Sequence, residues 1–447
     1  MDLGSLIPTF GNTMWTVAAF VVALSIIVAV HEYGHYIVGC WCGIQAEVFS
    51  LGFGPALWSR TDSRGTRWQV AVIPLGGYVK FLGDANAASA RPDEATLQAL
   101  SPQERRHTMH GAPLWARAAT VFAGPLANFI LSVVVFAGLF LWAGQATDVP
   151  TVGQVRALPG GAGEIRAGDV ILAVNGNPTP DIEAIADLFE TLPPEPRMTY
   201  LVRRDGAEIT VSGPTLYPAR ATAVQPLSAA FEAGLKAGDV ITAADGRPIY
   251  GFVELQTAVR QAEGRPVAFE VWSPDGTTRT VTLTPRVTDI PLPEGGFETR
   301  YLIGLYGDGF FEQARERVSP VRAVTAAARQ SWDVASTSIS MLGHMIQGAI
   351  STCNLRGPIT IARTSGATAS QGIYEFIAFI AALSTAVGLL NLFPIPMLDG
   401  GHLVFHAWEW ARGRPPSDRM LNVLMTVGLT AVIALMLFGL TNDLLCP

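Results

Sequence analysis

The stretch His31-Glu-Tyr-Gly-His35 lies inside a long apolar segment of the chain. Neither residues 15–30 before it nor residues 36–44 after it carry a charge. A membrane-spanning helix needs about 20 apolar residues, so this segment is long enough to cross the hydrocarbon core of a bilayer. We therefore expect two histidines and a glutamate inside a membrane span or at its edge.

The spacing of this motif predicts a metal site. Residues i and i+4 lie on one face of a helix, so His31 and His35 can present two imidazoles to one metal ion. Glu32 lies about 100° further round the helix and can act as general base on a metal-bound water. A chance match in an apolar core helix is the alternative, but ionisable groups inside a membrane are costly and usually functional.

The composition is that of an integral membrane protein. The 447 residues are 49% hydrophobic and only 15% charged, and the mean hydropathy is +0.32. The net charge of −7 argues against a nucleic-acid partner. Four cysteines are too few for a disulfide scaffold, and we interpret them as ordinary apolar side chains.

Four stretches qualify as membrane spans, at residues 15–38, 118–142, 376–397 and 421–440. Residues 1–13 contain no Lys or Arg, so the first stretch lacks the basic region of a cleaved signal peptide. We therefore expect it to be retained as the first span of a multi-pass α-helical membrane protein with four transmembrane helices.

Basic residues predict the orientation of the spans. The segments between spans one and two and between spans three and four are rich in arginine, whereas both chain ends lack Lys and Arg. Because basic loops stay in the cytoplasm, we expect both termini and the long segment 143–375 to be extracytoplasmic. His31, His35 and the region around Asp399 then lie toward the cytoplasmic side.

Two strands are predicted directly after the first span, at residues 47–55 and 67–80. They would form a small membrane-associated sheet whose open edge could accept a substrate segment as an added strand. Gly52, Phe53 and Gly54 in the first strand are candidate substrate contacts. Residues 84–112 are polar and are interpreted as a cytoplasmic loop, in which His107 and His110 are solvated rather than metal-bound.

An internal repeat follows the second span. Residues 167–171 recur at 237–241, and 175–178 recur in pattern at 245–248, both at an offset of 70 positions. We expect two small tandem α+β domains that resemble PDZ domains of bacterial proteases, whose grooves bind peptides by strand addition. The alternative is that both copies are spacers or size filters. Residues 160–163 are glycine-rich where the second copy has Pro226-Leu-Ser-Ala-Ala230, which weakens the case for a groove in the first copy.

A catalytic zinc site needs a third protein ligand besides two histidines. Asp399 is the best candidate, because prolines break the preceding apolar span and glycines after it permit close backbone approach. His402 and His406 remain alternative ligands, since neutral imidazole also binds zinc well.

Before the third span, residues 311–350 have helical periodicity, which predicts an amphipathic helix on the outer membrane surface.

Taken together, these motifs resemble the signatures of the site-2 protease family of intramembrane zinc metalloproteases, and the resemblance covers nearly the whole chain. Within that family the chain is similar to the bacterial subgroup of sigma-E regulators with tandem PDZ domains. The motifs that carry the resemblance are His31-Glu32-x-x-His35, Gly124-Pro-Leu-Ala-Asn128, Asn391-x-x-Pro394-x-Pro396-x-Leu-Asp399-Gly and Asn354-Leu-Arg-Gly-Pro358.

The resemblance implies a protease of the bacterial inner membrane that uses Zn²⁺. Members of this subgroup cut a single-pass membrane protein after another protease has removed most of its extracytoplasmic part. That substrate is typically an anti-sigma factor, whose release switches on an envelope-stress response, and remnant signal peptides are a second class. Peptide termini at the PDZ grooves and the lipid bilayer are the other expected partners.

We assign zinc binding to His31, His35 and Asp399 and general base catalysis to Glu32. Asn391, Pro394 and Pro396 join the strand residues as candidate substrate contacts, and Gly124 and Asn128 are interpreted as supporting residues. Competing classes are a catalytically inactive membrane scaffold that presents PDZ domains and a metal transporter. The transporter predicts further polar residues along the spans, and these are sparse.

The expected segments follow from these assignments. They are 1–45 (first span), 46–115 (sheet and cytoplasmic loop), 116–145 (second span), 150–218 and 219–288 (PDZ domains), 289–372 (extracytoplasmic connector), 373–402 (third span with Asp399) and 403–447 (cytoplasmic loop and fourth span).

Overall fold

A computed structural model describes residues 3–85, 93–291 and 297–445. Its helices are α1 (Leu3–Trp41), α2 (Glu94–Ala99), α3 (Pro102–Arg105), α4 (Leu114–Ala143), α5 (Ile182–Thr191), α6 (Ala229–Glu232), α7 (Phe252–Gln261), α8 (Pro320–Ile346), α9 (Pro358–Gln371), α10 (Ile373–Asn391), α11 (Asp399–Arg412) and α12 (Asp418–Leu445), with a 3-10 turn at Thr352–Asn354.

The strands are short apart from the first two. They are β1 (Ala46–Thr61), β2 (Arg67–Phe81), β3 (Gln145–Ala146), β4 (Val152–Val155), β5 (Val170–Val174), β6 (Asn177–Pro178), β7 (Met198–Arg204), β8 (Ala207–Gly213), β9 (Ala223–Val224), β10 (Val240–Ala244), β11 (Arg247–Pro248), β12 (Val267–Trp272), β13 (Thr278–Leu283), β14 (Arg286–Pro291), β15 (Phe297–Leu302), β16 (Leu305–Tyr306), β17 (Phe311–Gln313) and β18 (Arg315–Glu316).

The chain divides into two compact units. A helical unit takes its described residues from the ranges 1–139, 320–346 and 355–446, and a strand-rich unit takes its residues from 140–319 and 347–354. In the described part of the chain, four helices are long and apolar enough to cross a membrane: Thr13–Trp41, Leu114–Ala143, Ile373–Asn391 and Arg419–Leu445. Each overlaps one predicted span.

The third span ends earlier than predicted. Helix α10 ends at Asn391, residues 392–398 form turns, and Asp399 begins the separate helix α11. Pro394 and Pro396 explain the break, because proline lacks a backbone N–H and disfavours helix in the residue before it. The expectation that Asp399 belongs to the third span, and that only a loop leads to the fourth, is therefore wrong.

The two strands predicted after the first span are confirmed as an antiparallel hairpin. The strand β1 pairs twice with β2, because Ser50 lies opposite both Tyr78 and Gln69, while residues 56–61 pair with 67–71. Residues 56–61 and 77–81 are therefore the edges of this folded hairpin, each paired with β-strand residues on one side only in the described part of the chain. Gly52 and Gly54 have φ angles of +91° and +88°, which only glycine adopts easily, and they bend β1 between its two pairing regions.

The sequence repeat is also a repeat of backbone structure. Sheets β6-β5-β7-β8 and β11-β10-β12-β13 have the same strand order and are both antiparallel. Asn175 and Asp245 hold equivalent turns with φ of 47° and 48°, and each side chain accepts a hydrogen bond from a backbone N–H of the neighbouring strand. The limits of the two domains stay a prediction.

The predicted amphipathic helix begins later than expected. Residues 311–313 and 315–316 form strands β17 and β18, which pair with β4 and β3, and helix α8 begins at Pro320. Its buried residues are Ala323, Ala327, Ser331 and Ala335, and the Ser331 hydroxyl lies 2.9 Å from that of Ser132 on α4. This face of α8 packs against another helix.

Cys353 is disulfide-bonded, so the interpretation of all cysteines as ordinary apolar side chains is wrong for it.

The polar segment 84–112 contains structure that was not predicted. It forms the short helices α2 and α3, while residues 86–92 lie outside the described residues. Its histidines have protein partners: His107 Nδ1 lies 2.7 Å from the Gly43 carbonyl oxygen, and His110 Nε2 lies 3.4 Å from Asp84 Oδ1. His107 is exposed, as predicted, whereas His110 is only partly exposed beside the buried Asp84, so the expectation of simple solvation is wrong for His110 alone.

Candidate metal centre

Three side chains from distant parts of the chain converge in the helical unit. Asp399 Oδ2 lies 3.1 Å from His31 Nε2 and 3.5 Å from His35 Nε2, and the two imidazole nitrogens are 3.2 Å apart. The side chains are largely buried, with exposed fractions of 11% for His31, 12% for His35 and 18% for Asp399. Among the described residues this is the one group of His, Cys, Asp or Glu side chains placed to hold a metal ion.

Helix α1 places both histidines toward α4 through a close backbone contact. His31 and His35 are one helical turn apart, and Gly34 lies between them on the side facing α4. A Cβ atom at Gly34 would lie 2.4 Å from the carbonyl oxygen of Ala123, which is far too close. Glycine in the motif therefore permits α1 and α4 to touch at the level of the histidines.

Helix α4 orients both imidazole rings. The Nδ1–H of His35 donates to the Thr120 carbonyl oxygen at 2.9 Å, and the fully buried Asn128 amide lies 3.2 Å from His31 Nδ1. A Cβ atom at Gly124 would lie 2.2 Å from His35 Nε2, so only glycine leaves room for this ring. The structure thus places both predicted supporting residues, Gly124 and Asn128, directly against the histidines.

Asp399 reaches the histidines through a tightly packed turn. A Cβ atom at Gly400 would lie 2.2 Å from the Phe393 carbonyl oxygen, and one at Gly428 on α12 would lie 1.8 Å from that of Pro396. Met397 has a φ of +99°, an unfavourable angle for a residue with a side chain. Packing from α11 and α12 therefore holds a strained turn immediately before Asp399.

Glu32 faces the edge of the hairpin. A Cβ atom at Gly77 would lie 3.3 Å from Cγ of Glu32, and the Val79 backbone N–H is within hydrogen-bonding reach of the Glu32 carboxylate. Edge residues 77–81 therefore run beside Glu32. A carboxylate, two imidazoles and the edge of a strand lie together at this point.

The converging atoms fit a divalent cation. His35 uses its Nδ1 proton to bind Thr120 O, so its Nε2 presents a lone pair toward Asp399 Oδ2. Asp399 Oδ2 is itself buried and has no hydrogen-bond partner among the described residues. Tetrahedral zinc with bonds of about 2.0–2.1 Å requires ligand atoms about 3.3–3.4 Å apart, close to the three distances found here. Two imidazoles and a carboxylate are also a usual donor set for catalytic zinc.

The alternative ligands His402 and His406 lie further along α11 and are not part of this group. Burial lowers the pKa of His402, while burial and the nearby Arg117 guanidinium lower the pKa of His406 to about 4. Both imidazoles are therefore neutral at neutral pH.

The predicted substrate contacts lie around the site without joining the three-residue group. Asn391 ends α10, Pro394 is exposed in the following turn, and Pro396 packs against Gly428. Phe53 stacks on Tyr78 with ring centroids 6.0 Å apart, so it and its flanking glycines shape the hairpin. Contact of these residues with substrate stays a prediction.

Sequence reasoning missed three features of the site. Gly34 carries a signal within the motif itself, because a glycine beside two histidines indicates a close helix contact. The Thr120 carbonyl carries none, since every residue offers one. The third is an ion pair between Arg117 on α4 and Glu409 on α11, which are 292 positions apart in the sequence.

Comparisons with known proteins agree with this geometry. The model of peptidase family M50 matches residues 19–435. The chain is 34% identical over 461 residues to the regulator of sigma-E protease RseP of Salmonella typhimurium, covering 97% of this chain and 99% of the relative. It is 34% identical over 472 residues to RseP of Escherichia coli, covering 96% and 98%. A relative from Rhizobium meliloti, named as a zinc metalloprotease, is 35% identical over 436 residues, covering 97% of each chain.

Proposed function

Because the chain belongs to peptidase family M50, we propose that it is a zinc-dependent intramembrane protease that hydrolyses a peptide bond within transmembrane segments of single-pass membrane proteins. One observation carries this proposal. His31, Glu32 and His35 lie on helix α1, which is long and apolar enough to cross a membrane, and Asp399 from α11 converges with the two histidines. Ionisable groups on a membrane-spanning helix are costly and usually functional, so their presence on α1 favours an intramembrane protease over a soluble one.

The residues divide the chemistry between them. His31, His35 and Asp399 would hold zinc, which, when bound, lowers the pKa of a water molecule and polarises a carbonyl group. Glu32 accepts the proton of the water whose oxygen attacks the scissile carbonyl carbon. Glu32 then delivers that proton to the amine nitrogen as the carbon–nitrogen bond breaks.

Asn128 supports this ligand set through its amide. Zinc binding through Nε2 leaves His31 with a proton on Nδ1, which needs an acceptor. Asn128 Oδ1 is buried and has no hydrogen-bond partner within the described part of the chain, whereas its Nδ2 faces His31. Because amide oxygen and nitrogen are interchangeable by a flip, rotation of the amide would let His31 Nδ1–H donate to Oδ1.

The hairpin edge at residues 77–81 is the proposed substrate strand site. A helical substrate has its carbonyls engaged in intrahelical hydrogen bonds, so it must unwind before attack. An unwound segment added beside residues 77–81 would satisfy its backbone groups and bring a scissile bond next to Glu32. Side-chain amide contacts from Asn391 are proposed to help hold the unwound segment.

The substrate class follows from the relatives and the repeats. RseP of Salmonella and Escherichia is named as a regulator of sigma-E, so we propose a membrane-bound anti-sigma factor, trimmed beforehand by another protease. We interpret the two repeats as PDZ domains. The second borders a cavity of about 670 Å³ that could receive a peptide terminus, lined in part by Leu255, Val259, Ile303 and Leu305. The bacterial inner membrane, with both termini and the repeats outside the cytoplasm, is the proposed location.

Replacing Glu32 with Gln tests the catalytic proposal. The variant should keep one zinc ion per chain, since Glu32 is not a ligand, and should lose cleavage of a model transmembrane substrate reconstituted with it. Tyr33→Phe is the matched control, because Tyr33 is adjacent and 46% exposed and should be cleavage-competent. Wild-type cleavage rates in Glu32→Gln would overturn the mechanism, and zinc binding without cleavage by the native chain would favour the inactive scaffold.

A further inference from the structure

Helices α4 and α11 each carry a stripe of residues along one face, which is polar apart from Gly124 on α4. On α4 the stripe consists of Arg117, Thr120, Gly124 and Asn128, spaced three or four residues apart, and its last three members contact the histidines. On α11 the corresponding stripe is Asp399, His402, His406 and Glu409. One helix therefore orients the two histidines, and the other begins with the aspartate.

The two stripes meet at an ion pair. Arg117 Nη2 donates to Glu409 Oε1 at 2.6 Å, and Nη1 donates to Oε2 at 3.1 Å, so the guanidinium binds the carboxylate with two parallel hydrogen bonds. The side chains are only 16% and 19% exposed. A largely buried bidentate pair of this kind fixes both the distance and the angle between its two helices more firmly than an exposed ion pair does.

We propose that Arg117 and Glu409 are positioning residues for the metal centre: their ion pair fixes α11 against α4 and so places Asp399 opposite His31 and His35. This inference rests on the proposed zinc site. Closer to Asp399, Gly400 on α11 and Gly428 on α12 pack against the turn at residues 392–398. These contacts allow the backbones to approach closely but do not set the direction of α11. The ion pair acts at the other end of the helix, about 15 Å from Asp399 at 1.5 Å per residue.

The test measures zinc affinity rather than activity alone. Arg117→Gln and Glu409→Gln should each weaken zinc binding about tenfold in competition with a chromogenic chelator. This is the lower end of the range for groups that hydrogen-bond a metal ligand directly, because the pair acts on Asp399 only through the length of α11. Arg117→Lys keeps the positive charge but cannot form the two parallel hydrogen bonds, and its zinc affinity should be intermediate. The exchanged pair Arg117→Glu with Glu409→Arg should recover much of the loss.

The matched control is Arg204→Gln in the strand-rich unit. Arg204 is 19% exposed and binds Asp169 with a similar two-point contact, so its loss should lower thermal stability without changing zinc affinity. Zinc affinity within twofold of the native chain in Arg117→Gln and Arg117→Lys, in well-folded protein, would overturn the inference. If His31→Ala also left zinc binding unchanged, the proposed zinc site itself would be wrong. If His31→Ala lost zinc while the Arg117 variants kept it, only the positioning role would be refuted.

Discussion

His31 and His35 come from one uninterrupted helix, whereas Asp399 begins a new helix after the break at residues 392–398. The spacing of the histidines is set by the helix itself, so nearly any helix with this motif presents both imidazoles together. The position of Asp399 depends instead on contacts with α4 and α12 and on a strained turn. The difference indicates that local spacing builds one half of the centre and tertiary packing builds the other.

The strongest test of this comparison removes Asp399, the ligand that tertiary packing positions. Asp399→Ala should weaken zinc binding by more than the roughly 100-fold that loss of a supporting contact can cost, because a ligand itself is lost. His402→Asn is the matched control on the next turn of α11 and should retain zinc, as His402 lies outside the three-residue group. Metal content after purification separates the two variants, and the reverse result would make His402 the third ligand.

A smaller loss of zinc affinity is expected when the space beside His35 is filled. Gly124→Ala adds a Cβ atom 2.2 Å from His35 Nε2 and must displace the ring, so zinc affinity should fall toward 100-fold, the upper end of about 10- to 100-fold.

Gly138→Ala on the same helix provides the control for this change. No atom lies within 4 Å of the added Cβ, so helix propensity alone should act, raising stability by about 0.5–1 kcal/mol without altering zinc affinity. Equal zinc affinities in the two alanine variants would show that Gly124 gives the ring no essential space.

The smallest expected effect concerns the two asparagines. Asn128→Ala removes the amide beside His31 and should weaken zinc binding about tenfold, because the Nδ1 proton then loses its buried acceptor. Asn391→Ala should leave zinc binding intact and raise KM for a transmembrane substrate. Chelator competition and steady-state kinetics on both variants distinguish a supporting role from substrate contact, and a shared phenotype would contradict that division.

The sequence predicts those features that depend on nearby residues. The histidine spacing, the four apolar spans and the repeat with its Asn175 and Asp245 turns all follow from short-range patterns, and the structure contains each of them. Asp399 is predicted as a ligand because the prolines and glycines around it indicate a broken helix. Whether the aspartate ends one helix or begins the next depends on packing of the turn, which no local pattern describes.

Long-range partners could not be predicted for a simple physical reason. A backbone carbonyl such as that of Thr120 is available at every position, so no residue type indicates it. Arg117 is one of many arginines in a basic segment, and Glu409 is one of several charged residues near the fourth span. Only the three-dimensional arrangement distinguishes these two from charges that are merely solvated.

The stripe on α4 also restricts how the length of this chain can vary. Each helical residue turns the chain by about 100° and advances it by about 1.5 Å. One residue inserted or deleted between Arg117 and Asn128 would rotate one end of the stripe away from its partners, and no single substitution could realign both ends. The mostly exposed connection at residues 193–197 between helix α5 and strand β7 has no such constraint, because no helix or strand runs through it. Insertions and deletions should therefore accumulate in connections of that kind and be absent from this segment of α4.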